Sequence, residues 1–321
     1  MLNPEIYQKI NAIDHTYIPH QKIKLAIDMI QRCLLISESA LEPVNFLLTG
    51  PAGTGKTTVC NAILSILESE SQEFIIRDNK EVPVVNAFYS LVPNPVTIKG
   101  IASSMLKSLG APSPGKGSAL DLTYRLGVLL KEFKTKVIIL DEFQHLLAKD
   151  FGKSNDVRDW VKSIINEFKV PIVLVGTPEC ETIINEETQL SRRFQYRTQL
   201  TSLNLGTPQK RGELTKFSST LRTLFIKKIG LNGFPNFNSY SKCAPLYVAT
   251  SGNPSSIVRI FKEATLIAFE DGMNEVKYNH ITKAFDTLAL PNSDSLSTNP
   301  FRLNHSDLVK SINKISGGMY A

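Results

Sequence analysis

The octapeptide GPAGTGKT sets Gly50, Pro51, Ala52, Gly53, Thr54, Gly55, Lys56 and Thr57 in the order G-x-x-x-x-G-K-[ST], with Thr58 directly behind. Residues of these types at this spacing bind phosphate. Glycines let successive backbone N–H groups turn inward around phosphate oxygens, and a helix starting near the lysine adds the positive end of its dipole. Lys56 then neutralises the β- and γ-phosphates, and the Thr57 hydroxyl is placed to ligate Mg²⁺. The expected ligands are ATP and Mg²⁺.

Two further stretches supply what hydrolysis needs. In VIILDE the acids Asp141 and Glu142 follow four apolar residues. A buried strand would deliver both to one edge of a sheet, Asp141 beside the phosphate loop as a Mg²⁺ ligand and Glu142 as the base that polarises the attacking water. In VPIVLVGTPE a second apolar run ends on Thr177, where a hydroxyl would meet the water or the γ-phosphate. A threonine that merely ends a strand is the competing reading. Asn86, in VVNAFY, is either a restraint on Glu142 or a polar residue tolerated at a strand edge, and His145 falls one place too late for a D-E-x-H box and reads as structural or as a coupling residue.

These groups need a scaffold that gathers strand ends. Apolar runs at 44–50, 82–89, 136–142 and 170–177 alternate with segments of helical period, and strands apolar on both faces predict a mostly parallel sheet covered by helices on both sides. Residues 21–36 place Ile23, Ala26, Ile27, Ile30, Cys33 and Leu34 on one helical face. Beyond about residue 205 the strand signals fade, and ELTKFSSTLRTLFIKKIG, NPSSIVRIFKEATLIAFEDG and YNHITKAFDTLAL read as helices. The expected organisation is an N-terminal helical segment (1–42), an α/β P-loop domain (43–204), a small all-helical lid (205–290) and a flexible C-terminal tail (291–321). Leu308, Ile312 and Ile315 give that tail one amphipathic face, which either docks on the body or waits for a partner.

Composition narrows the class. The chain has 321 residues, 42% of them hydrophobic, with 36 Lys and Arg against 30 Asp and Glu, which suits a polyanionic partner without demanding one. The four cysteines form no C-x-x-C pair, so neither a zinc site nor a disulfide framework is indicated. There is no signal-peptide pattern and no apolar run of the roughly 18 residues a membrane span requires. A cytoplasmic protein without membrane partners is expected.

The order GPAGTGKT, ILDEFQHLL, VGTPE and QLSRRFQ, followed by helices, resembles an AAA+ ATPase. The stretch from Asn94 to Leu147, with SLGAP and DEFQHLL, is similar to the TniB/TnsC family, ATPase regulators of bacterial DNA transposition; the resemblance spans about residues 10 to 270. It implies a protein that assembles with itself into rings or filaments on duplex DNA, recruits a DDE-type transposase, and works with a TniQ-type target-selection protein. Whether a CRISPR-associated guide-RNA effector takes part is left open. Arg192 and Arg193 match the position of the family's arginine finger, which acts on a neighbour's nucleotide. Arg259, one turn after Ser255 and Ser256 in SGNPSSIVR, is the candidate lid arginine, although the G-x-x-R turn usual in AAA+ lids is altered here.

DNA contact has no motif of its own. Lys99, Lys107, Lys116 and Arg125 lie in the segment that AAA+ rings commonly turn toward their channel, where they would grip phosphates without reading sequence; a solvated helix face is the alternative. Two other readings of the whole chain share its nucleotide chemistry. One is a clamp-loader-like or secretion-type AAA+ ATPase, the other an ATP-switched scaffold with little turnover.

Overall fold

The computed structural model describes residues 4–13, 16–18, 20–69, 74–77, 80–93, 97–147, 154–291 and 298–316. The chain opens with α1 (Pro4–Asn11) and α2 (Gln21–Ser37), followed by β1 (Phe46–Thr49), α3 (Lys56–Ser69), β2 (Phe74–Arg77), β3 (Lys80–Pro83) and β4 (Ala87–Leu91). Next come α4 (Ile98–Ser108), α5 (Ala119–Glu132), β5 (Val137–Asp141), α6 (Ser154–Phe168), β6 (Ile172–Gly176), α7 (Glu179–Glu186), α8 (Thr188–Arg193) and β7 (Tyr196–Gln199). The remaining helices are α9 (Glu213–Phe225), α10 (Tyr240–Thr250), α11 (Pro254–Glu270), α12 (Tyr278–Thr287) and α13 (His305–Ile315). They form two compact units: Lys22–Ala52 with Lys56–Leu200, and Met1–Gln21 with Gly53–Gly55 and Thr201–Ala321.

The first unit is built on a parallel sheet in the order β4-β5-β6-β1-β7. Alternate side chains serve its two faces, as a strand period of two dictates. Leu47, Phe88, Ile138, Leu140, Ile172 and Leu174 pack with residues of α4, α5, α6, α7 and α8. Phe46, Leu48, Val137, Ile139, Val173 and Val175 pack with residues of α2 and α3. Helices therefore cover both faces, and the near-continuous apolar runs follow from having no wet side. Because every strand is parallel, the carboxyl ends of β1, β4, β5 and β6 share one edge, the place where α/β sheets bind ligands.

Three sequence-based expectations change here. The run 82–89 is not one strand: Lys80–Pro83 pairs antiparallel with β2, and Ala87–Leu91 joins the main sheet. Between them the Val85 N–H bonds to the Phe133 carbonyl at 3.1 Å, outside either ladder. Asp141 is not next to the phosphate loop in the sheet, since β6 lies between β5 and β1. The short polar strand β7, which carries no apolar run, was not anticipated and pairs with β1.

The second unit is helical around a separate core. Leu214, Phe217, Leu221 and Phe225 of α9 meet Phe234, Phe237 and Phe261, with the Phe234 and Phe261 ring centroids 4.6 Å apart. Ile10, Ile13 and Ile18 join this core, so the expected N-terminal segment 1–42 is split, its first part packing with the helical unit and α2 with the sheet. The expected flexible tail likewise contributes Phe301, Leu308 and Ile312 to the same core: over 298–316 its amphipathic face docks, because burying these side chains outweighs leaving them in water. Helix α10 went unseen in the sequence because it is apolar on most sides and carries Pro245. Among the described residues no helix is long and apolar enough to cross a membrane.

Candidate nucleotide site

The glycine loop runs from the end of β1 to the first turn of α3, as the motif requires. The Gly50 N–H donates to the Gly176 carbonyl at 3.1 Å, which ties the start of the loop to the end of β6. Lys56 folds its ammonium back over the loop, donating to the carbonyls of Gly50 at 2.7 Å and Pro51 at 3.1 Å. Thr57 is exposed, Thr58 and Gly55 are half-buried, and Thr54 is fully buried.

The loop tip, Gly53–Gly55, belongs to the helical unit. Gly53 has φ +77°, and a Cβ there would lie 2.6 Å from Asn253 Oδ1, so both conformation and space call for glycine. Its carbonyl accepts from the Ser255 N–H at 3.2 Å. Asn253 also caps α11, its side chain accepting from the Ser256 N–H. At the place of the G-x-x-R turn usual in AAA+ lids, NPSS starts α11 and bonds the loop tip at Gly53. Arg259 lies farther along α11, exposed.

At the end of β5, Asp141 is 4% exposed. Its two carboxylate oxygens accept from Tyr89 Oη and from the Glu142 N–H, each at 2.8 Å. Burial, then the Asp141 carboxylate, push the Tyr89 phenol above its ordinary range, so it stays a donor. Glu142 has φ +61°, an uncommon backbone for a side chain of this kind. Its carboxylate accepts from Gln144 Nε2, while Gln144 Oε1 accepts from the Thr177 N–H at 3.2 Å. The Thr177 hydroxyl bonds the Glu179 carboxyl and holds it below its usual range, and burial drives the neighbouring Cys180 thiol up to about 12.

Asn86 does not restrain Glu142. It precedes β4, at the amino-terminal edge of the sheet, and its amide donates to the Leu67 carbonyl at 3.1 Å. The amide that bonds the Glu142 carboxylate is that of Gln144. His145 Nδ1 lies 3.2 Å from the Val92 carbonyl.

The arginines of QLSRRFQYR separate by environment. Arg197 is spent within its own chain: Nε donates to the Phe194 carbonyl at 2.6 Å, and its terminal nitrogens bond Asn185 and, at 3.1 Å, Ser191 Oγ. Arg192 is exposed and Arg193 half-buried, both in the last turn of α8. Among the described residues neither guanidinium has a hydrogen-bond or ion-pair partner.

The basic segment also divides. Lys99, Lys107 and Lys116 are exposed. Arg125 instead gathers the carbonyls of Pro112, Ser113 and Lys116, the first at 2.7 Å, so it shapes the connection between α4 and α5.

The fold is that of an AAA+ P-loop protein. It is similar to the ORC2 protein of Aeropyrum pernix in its ADPNP–ADP complexes, with TM-score 0.61 and 16% identity over 94% of this chain and 78% of that one. Cdc6p from Pyrobaculum aerophilum matches with TM-score 0.59 and 12% identity over 94% and 82%. The Aeropyrum pernix ORC1 protein, solved in complex with DNA, matches with TM-score 0.58 and 18% identity over 84% of this chain and 65% of its own length. No curated protein sequence matches the chain. A family model described as the bacterial TniB protein matches residues 9–201, and the chain therefore belongs to the TniB family.

Proposed function

We propose that this protein is an ATP-hydrolysing, DNA-binding regulator of transposition that assembles with itself on duplex DNA and there recruits and activates a DDE-type transposase, with a TniQ-type protein as second partner. The observation that carries the reading is the division of labour among charged groups. Lys56 opens α3, Asp141 ends β5 and Glu142 follows it, all at one sheet edge, while among the described residues the guanidinium groups of Arg192 and Arg193, in the last turn of α8, have no partner. A single chain already supplies a phosphate cation and a base, so two idle arginines suit a neighbour's nucleotide.

The residues present fit the nucleotide and its metal. Gly53 and Gly55 have φ of +77° and +102°, the backbone that turns amides inward, and Asp141 is a buried carboxylate with no cationic partner among its bonds. Thr57 and Asp141 would hold Mg²⁺, which when bound neutralises phosphate charge. Lys56 exchanges its loop carbonyls for β- and γ-phosphate oxygens. Glu142 accepts a proton from the water that attacks the γ-phosphorus, Thr177 fixes that water or the γ-phosphate, and Arg192 or Arg193 from a neighbour stabilises the charge on the transferring group. Arg259 is the lid contact to the phosphates.

Lys99, Lys107 and Lys116 are exposed and carry the non-specific grip on the DNA backbone; that a protein of this fold has been solved on DNA supports the reading. The test is hydrolysis with and without duplex DNA in wild type and Glu142→Gln, together with sedimentation in the presence of an ATP analogue. Loss of turnover by about 10² to 10⁴-fold with binding retained is expected in the variant. Unchanged turnover in Glu142→Gln, or a monomer with both analogue and DNA present, would sink the reading.

A further inference from the structure

Glu142 does not stand alone at the end of β5. One amide, that of Gln144, bonds the Glu142 carboxylate through Nε2 and the backbone N–H of Thr177 through Oε1, the latter at 3.2 Å. A carboxylate only accepts and a backbone N–H only donates, so the two partners fix which end of the amide is which. A carboxylate in its place would repel Glu142, and an apolar residue would bond neither partner.

Two further features hold this bridge in place. Gly176, the last residue of β6, has no side chain, and a Cβ there would lie 2.8 Å from Gln144 Oε1 and 2.5 Å from Cys180 Sγ. The strand end is thus open just where the amide enters. Glu142 itself is in the left-handed region, at φ +61°, which turns the chain sharply after Asp141, and Phe143, 2% exposed, anchors the next residue in the core. The Glu142 carboxylate therefore has a built partner rather than a chance one.

We propose that Gln144 is a positioning residue for hydrolysis: it locks the Glu142 carboxylate to the end of β6, so that the base and Thr177 are set at a fixed distance by one rigid amide. The inference rests on the hydrolytic role proposed for Glu142. It explains why a short 3₁₀ turn, Phe143–Leu147, follows the acid directly: the turn brings the side chain two residues on back beside it.

The test is steady-state ATP hydrolysis with duplex DNA on Gln144→Met, which keeps length and loses both bonds, and on Gln144→Glu, which keeps the acceptor for Thr177 and puts a second carboxylate against Glu142. Both are compared with Glu142→Gln and with the double variant Glu142→Gln/Gln144→Met. Turnover is expected to fall about 10²-fold in each Gln144 variant, the cost of a misplaced reacting group, with KM for ATP within about twofold. The double variant should be no slower than Glu142→Gln alone, since the amide acts only through the carboxylate. Wild-type turnover in both Gln144 variants with Glu142→Gln inactive would overturn this inference alone, as would additive losses in the double variant or a KM that rises as much as kcat falls. Full turnover in Glu142→Gln would overturn the hydrolytic reading, and this inference with it.

Discussion

Tyr89 on β4 donates its hydroxyl to Asp141 on β5 at 2.8 Å. In the register of the two strands Tyr89 lies opposite Ile139 and Leu91 opposite Asp141, so the phenol reaches one pair forward along a single face. The side-chain period of two is what makes this possible. A half-buried residue of the edge strand thereby orients the carboxylate proposed to hold Mg²⁺.

Tyr89→Phe should therefore act on both fold and metal. Losing a hydrogen bond to a charged, buried acceptor is expected to lower unfolding free energy by about 1.5 to 3 kcal/mol, read from urea denaturation. The Mg²⁺ concentration for half-maximal hydrolysis should rise about tenfold, the usual effect of removing a group that orients a ligand. An unchanged Mg²⁺ requirement would separate Tyr89 from the site.

The three arginines near residue 195 are expected to behave in two ways. Arg193→Ala or Arg192→Ala, whichever is the finger, should bind ATP normally yet lose DNA-stimulated hydrolysis by about 10³-fold or more. Mixing that variant with Lys56→Ala protein should restore part of the activity, because an intact site then meets an intact finger. Arg197→Ala should instead destabilise the chain by about 1 to 3 kcal/mol, since its partners are its own carbonyl, amide and hydroxyl groups. No recovery of turnover on mixing would argue against a finger in trans.

DNA affinity should fall steeply with salt, and each of Lys99→Ala, Lys107→Ala and Lys116→Ala that removes a phosphate contact should reduce the log–log salt slope by about 0.9. Arg125→Ala is expected to leave that slope unchanged while loosening the turn between α4 and α5, whose carbonyls it binds. Fluorescence anisotropy on duplexes of unrelated sequence measures both. Equal slopes in wild type and all three lysine variants would move the DNA surface elsewhere.

His280 gives the helical unit an acid sensitivity. Burial holds its pKa below the ordinary value, with Asp271 opposing, and Nδ1 accepts from the Lys277 N–H at 3.0 Å, which requires the neutral ring. The unfolded chain binds the proton more readily, so stability is full above the unfolded pKa near about 6.5 and declines as pH falls below it toward the folded value. Comparing urea midpoints at pH 7.5 and 5.5 should show the decline in wild type and a smaller one in His280→Asn, whose amide oxygen keeps the acceptor without titrating. Equal declines in the two proteins would assign the effect to other groups.

The phosphate-loop geometry and most of the elements around it were legible in the residue pattern alone. A strand, a glycine loop and a helix in succession are local, so GPAGTGKT announces its geometry within a few turns of chain. Unbroken apolar runs ending in DE and GT likewise name two buried parallel strands and the polar groups at their tips. Tertiary structure decided what depends on partners far along the chain. It put β6 between the two strands that matter, sent Asn86 to the other edge of the sheet, and brought Gln144 to both Glu142 and Thr177. It also docked the last helix through Leu308 and Ile312. Among three neighbouring arginines only the fold could say which one is already used, because composition and spacing are the same for a guanidinium that bonds its own chain and for one left facing outward.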